Sequence, residues 1–106
     1  MLRPRGRKAA CTLGTRLTLR GDYDVWRREE LREELERVDL TGDVTIDLSG
    51  TTLIDAGSAA LLIGLQHRLM QRTPGARVIL RNTPPIVKRV LELCGATELF
   101  AFAGDR

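Results

Sequence analysis

From position 12 to 20 the chain reads TLGTRLTLR, so Leu13, Leu17 and Leu19 fall on one side and Arg16, Thr18 and Arg20 on the other. That period of two predicts a strand with one buried face. Gly21, Asp22, Tyr23 and Asp24 follow as a turn, and either aspartate is placed to cap a helix by accepting backbone N–H bonds. The helix is expected over 25–38, where Leu31, Leu35 and Val38 form a thin apolar stripe on a charged body, with Arg32–Glu36 and Glu33–Arg37 at i,i+4. So narrow a stripe places it on the surface. Thr41 and Gly42 break the pattern. Val44, Ile46 and Leu48 then alternate with Thr45 and Asp47 as a second strand, and Ser49, Gly50, Thr51 and Thr52 read as loop.

Beyond Leu53 and Ile54, Asp55 stands as an N-cap, and Ser58, Leu62, Leu65 and Leu69 recur at helical spacing with Leu61 beside them. This central helix ends near Arg72. Thr73, Pro74 and Gly75 make a turn, 77–81 (RVILR) a short buried strand, and Thr83 with Pro84 a cap for the last helix. On that helix Val87, Val90, Leu91 and Cys94 lie at i, i+3, i+4 and i+7, which predicts a buried Cys94, and Gly95 suits a left-handed C-terminal residue. Leu99, Phe100 and Phe102 then close the core as an edge strand or a docked tail. Strands alternating with helices define the α/β class: one domain over 11–103 with a mixed sheet of four to five strands and interspersed helices, between a basic tail over 1–10 and a short tail over 104–106.

The composition fits one compact core: 106 residues, 42% hydrophobic and 29% charged, far from the signature of disorder. The charge changes the picture only at the N-terminus. Taking Arg3, Arg5, Arg7 and Lys8 away from a formal +3 leaves −1, so the folded part is close to neutral. With its few aromatics scattered, it offers no stacking platform for nucleic acid. No run of residues reads as a secretory leader or a membrane span, and a cytoplasmic location is expected.

Chemistry is sparse. Cys11 and Cys94 lack partners at metal-ligand spacing, so no metal is expected, and the glycines match no nucleotide-binding fingerprint, so no cofactor is expected either. The single histidine, His67, lies on the central helix nine residues from Ser58, about 13 Å by helical rise, which rules out a triad of Ser58, His67 and Asp55. Asp47 and Asp55 are conceivable paired carboxylates, but each has a simpler role, as a solvent-face strand residue and a helix cap. The chain is read as a binding module rather than an enzyme.

The stretch 44–65, VTIDLSGTTLIDAGSAALLIGL, resembles the central signature of the STAS family, the sulphate-transporter and anti-sigma-factor-antagonist domains. In that signature a strand ending Asp-Leu-Ser precedes Ile-Asp-Ser-Ser-Gly and an apolar helix. Residues 19–24 resemble the family's Gly-x-x-Asp turn, 77–82 a later strand and 85–95 its closing helix, all in the family's order. The resemblance implies a mixed sheet and a role in partner switching, in which the protein sequesters a kinase-type anti-sigma factor and so releases a sigma factor. In regulated members that kinase phosphorylates the hydroxyl residue just after the signature aspartate, here Asp55, and abolishes binding. This chain has Ala56 there, which accepts no phosphoryl group, followed by Gly57 and Ser58. Ser58 is either a displaced phosphoacceptor or a small residue packing the first helical turn, about 200° around the helix from the usual position.

By this reading the partner-binding residues are Asp22, Asp24, Thr51, Thr52, Asp55, Ala56, Gly57 and Ser58, gathered near one end of the sheet. The aspartates serve as caps, as contacts, or as both. A second reading makes the chain a docking subunit of a transporter or stress-signalling assembly, since STAS domains serve there too. A third gates docking through a Cys11–Cys94 disulfide, which requires Cα atoms closer than about 7 Å.

Overall fold

The computed structural model describes residues 15–104. In chain order it comprises β1 (Thr15–Tyr23), a single 3-10 turn (Val25–Arg27), α1 (Arg28–Glu36), β2 (Val44–Ile54), α2 (Ala56–Arg72), β3 (Val78–Arg81), α3 (Pro85–Leu93) and β4 (Ala101–Ala103). The strands lie in the order β1-β2-β3-β4, each beside its neighbour in sequence. All three pairings are parallel. The α/β class therefore holds, while the antiparallel pairing that a mixed sheet requires does not occur among the described residues. Each crossover contains helix, as parallel neighbours demand.

Right-handed crossovers between successive neighbours put every connecting helix on the same face. Burial agrees: Leu19, Val44, Ile46, Leu48, Val78 and Leu80 face the helices at 1% exposure or less. Thr18 and Arg81, on the other face, are exposed, and Thr45, Asp47 and Ile79 are half-buried. Leu31 and Leu35 of α1, Leu62, Leu65 and Leu69 of α2, and Val87 and Leu91 of α3 complete the core. Removing this apolar surface from water is the main driving force for the fold, about 25 cal/mol per Å². Gln66 is also buried here, its Oε1 accepting the Val78 N–H at 2.8 Å and so joining α2 to the start of β3.

Five further expectations are corrected. β1 does not stop at Arg20 but runs through Gly21 and Asp22 to Tyr23, and β2 does not end at Leu48 but continues through Ser49–Thr52 to Ile54, because these two segments pair with each other. The pairing is irregular, with register shifts after Thr18 and after Gly21, and it accommodates Gly21 at φ +83. The helix expected over 25–38 is a 3-10 turn capped by Asp24 and then a shorter α1, because Arg27 (φ −109, ψ 9) interrupts the helical backbone. Pro84 rather than Thr83 occupies the N-cap of α3 and gives no side-chain cap. Cys94 is exposed instead of buried, since it caps α3 where the chain turns away. Gly95 (φ +70) makes that turn, donating its N–H to the Glu92 carbonyl while Ala96 donates to Leu91, both at 2.9 Å, a Schellman closure. Cys11, Leu13 and the basic tail lie outside the described residues, and with them the disulfide.

Candidate docking surface

β3 ends at Arg81, level with Asp47 of β2. Beyond that level β1 and β2 continue alone as a two-stranded extension that sets Gly21 beside Thr51, Asp22 beside Leu53 and Tyr23 beside Ile54. The Thr52 hydroxyl donates to the Asp22 carboxylate. Thr51 is buried and donates its hydroxyl to the Leu19 carbonyl at 2.9 Å, so it braces the extension from within. Asp24 accepts the Trp26 N–H at 3.0 Å and starts the 3-10 turn.

The extension delivers the chain straight into α2. The Asp55 N–H donates to the Tyr23 carbonyl at 3.1 Å, and Asp55 then caps α2 by accepting the Ser58 N–H on Oδ1 at 2.8 Å. Its Oδ2 accepts from Arg28 Nη2 at 2.8 Å, an ion pair about one-third exposed on each side. Burial alone would raise the Asp55 pKa; the Ser58 N–H and the Arg28 guanidinium outweigh it and hold the carboxyl below its ordinary value. The guanidinium lies across Gly57, where a Cβ would stand 2.3 Å from its central carbon. Glycine at 57 is thus what lets Arg28 reach Asp55.

Ala56 faces solvent, whereas Ser58 is fully buried and its hydroxyl donates to the Tyr23 carbonyl at 3.1 Å. A kinase finds no access to the Ser58 hydroxyl in this arrangement. The structure therefore brings Asp22, Thr52, Asp55 and Ala56 together at the surface, places Asp24 beside them as a cap, puts Gly57 under Arg28, and turns Thr51 and Ser58 inward. Asp47 stands eight residues from Asp55 along an extended strand, on the order of 25 Å, so the two do not pair. It accepts the Ser49 N–H at 2.9 Å instead, and this bond lowers its pKa.

Sequence reasoning missed the two arginines that hold this end together. Arg27 donates to the Arg20 carbonyl at 2.6 Å and to the Asp22 carbonyl at 3.3 Å, pairs with Glu30 at 3.0 Å, and lies 4.1 Å over the Tyr23 ring. It also missed Val25 and Trp26, which are 60% and 88% exposed. A run of charge in an amphipathic helix reads as solvated surface, and only the aspartates gave a local signal.

Among the described residues no group of His, Cys, Asp and Glu is placed to hold a metal, and no helix is long and apolar enough to cross a membrane. The sequence matches the family model described as Mlab, STAS domain, over residues 12–101, and the chain belongs to the STAS family. Its fold is similar to that of a solved protein described as the anti-sigma factor antagonist SpoIIAA in its unphosphorylated form. The TM-score is 0.65 at 19% identity, covering 88% of this chain and 84% of that one. No curated protein matches the sequence.

Proposed function

We propose that this chain is an anti-sigma-factor antagonist that docks onto a kinase-type anti-sigma factor without the usual phosphorylation switch. The observation that carries the reading is the start of α2: Asp55 caps the helix, and the outward position after it, where the family resemblance puts the phosphoacceptor, is Ala56. Nothing at that position accepts a phosphoryl group, so docking stays permitted whatever the kinase does. Catalysis has no support, since His67 is exposed on α2 and the Ser58 hydroxyl is committed to Tyr23.

The decisive experiment incubates the purified protein with ATP and each kinase-type anti-sigma factor of its host, followed by mass spectrometry and a binding assay. The expected result is binding with no phosphate added, and an Ala56→Ser variant that gains a phosphate and loses binding. Absence of binding to every such factor would sink the reading. A second reading, docking onto a transport ATPase, follows from membership of the STAS family, whose domains also occur in transporters, and the same binding assay with transporter ATPase subunits separates the two.

A further inference from the structure

The other exposed large apolar side chains are Met70 on α2 and Ile86 and Leu93 on α3, the last two about two turns apart. Val25 and Trp26 differ. They are adjacent, they form the 3-10 turn beside the α2 N-terminus, and none of the core depends on them. Trp26 is the only tryptophan in the chain and is 88% exposed. So large an apolar side chain left in water is a standing disadvantage unless something covers it.

The turn that carries it is held from both sides. Asp24 caps it, and the Arg27 N–H donates to the Asp24 carbonyl at 3.0 Å. The Arg27 side chain clamps it to the end of β1, and Arg28 ties the following residue to Asp55. Its indole is thus mounted on a fixed backbone, so little backbone freedom remains to be lost on contact, as suits an anchor residue. The charges around it are also ordered. Arg27, Arg28 and Arg32 are matched by Glu30, Asp55 and Glu29. Asp22 and Asp24 form no ion pair among the described residues, so their two carboxylates are the acidic groups this end offers a partner.

We infer that Trp26, flanked by Val25, is the anchor of the docking surface and enters an apolar pocket rimmed by Lys or Arg side chains on the partner protein. This rests on the reading of the chain as a docking module and adds the residue that carries the affinity and the chemistry of the surface that receives it. Trp26→Ala lowers affinity about thirtyfold or more, as loss of an interface anchor does. Raising salt weakens the complex, because the Asp22 and Asp24 carboxylates meet cations.

The sole tryptophan makes the test direct. The purified protein is titrated with each kinase-type anti-sigma factor of its host and, separately, with transporter ATPase subunits, while indole emission and acrylamide quenching are followed. Calorimetry is run in parallel on wild type and Trp26→Ala, with circular dichroism to verify that the variant folds. A blue shift, loss of quenching and a salt-sensitive affinity that collapses in the variant is the expected result. A complex that leaves the indole exposed and binds the variant equally well overturns the inference while the antagonist reading stands. Trp26-dependent binding to an ATPase subunit alone supports the inference and removes the antagonist reading. Binding to neither class overturns both, and a blue shift that grows with this protein's own concentration, without partner, shows that a second copy covers Trp26 and overturns the inference.

Discussion

At the level of single residues, Asp55 carries the most consequences. Its carboxylate caps α2 and accepts from Arg28, and its pKa in the folded protein lies below the ordinary value. A depressed carboxylate contributes stability that is present above its unfolded pKa of about 3.9 and lost as pH falls through the folded value. Asn at 55 keeps the cap but not the charge. Asp55→Asn is therefore expected to be less stable than wild type by about 0.5–1 kcal/mol at pH 7, with the gap closing below about pH 4. Urea unfolding of both proteins from pH 7 to pH 3 measures it, and a gap that does not change with pH would show that the charge contributes nothing. Asp55 was legible as a cap, and Asp24 as one of two candidates with Asp22, because an acidic residue before a helical pattern is a local signal. Arg27 and Arg28 were not, because the carbonyls and carboxylate they hold come from strand and loop positions that only the fold brings near.

The start of α2 separates two neighbouring positions by direction alone. Ser58 is inward, and its hydroxyl shares the Tyr23 carbonyl with the Asp55 N–H. Ser58→Ala leaves that carbonyl satisfied and is expected to cost about 1 kcal/mol, whereas Ser58→Glu buries an unpaired carboxylate and costs upward of about 4 kcal/mol. Ala56→Glu puts its charge in water at a helix N-terminus and is expected to be neutral or to stabilise by up to about 1 kcal/mol. Equal losses at 56 and 58 in urea unfolding would contradict the assignment of outward and inward. The helical periodicity already aligned Ser58 with Leu62, Leu65 and Leu69, so this distinction was readable before the fold was known. The extension of β1 and β2 was not. Ser49, Gly50, Thr51 and Thr52 carry turn chemistry, and what makes them strand is pairing with a segment some thirty residues away, including a glycine in the left-handed region.

For the molecule as a whole, one covered face explains why the strands alternate so cleanly. Parallel sheets buried on both faces read as unbroken apolar runs, but here only the helix side of β2 and β3 is closed off. That layer is tied to the sheet by a polar group that periodicity cannot flag, Gln66. Gln66→Leu is expected to cost about 1 kcal/mol net, because it orphans the Val78 N–H while also removing the Nε2 group, which finds no partner among the described residues. Hydrogen exchange at the Val78 amide is the sharper readout: protection there falls, while protection at the centre of β2 holds. Exchange unchanged at Val78 would mean that the bond is not formed in solution. The helix count and the order of elements were legible from pattern, whereas strand adjacency was not, since no residue in a strand states which neighbour it will pair with.

The neighbour-to-neighbour strand order also bears on how the molecule is made. No strand has to slip between two already joined, so a chain emerging N-terminus first adds β2, β3 and β4 to one growing edge in turn. The end that runs from Asp22 to Ser58 draws only on β1, the 3-10 turn, α1, β2 and the first turn of α2, while β3, α3 and β4 follow it in the chain. A nascent chain still on the ribosome therefore holds every residue of that end before its sheet is complete.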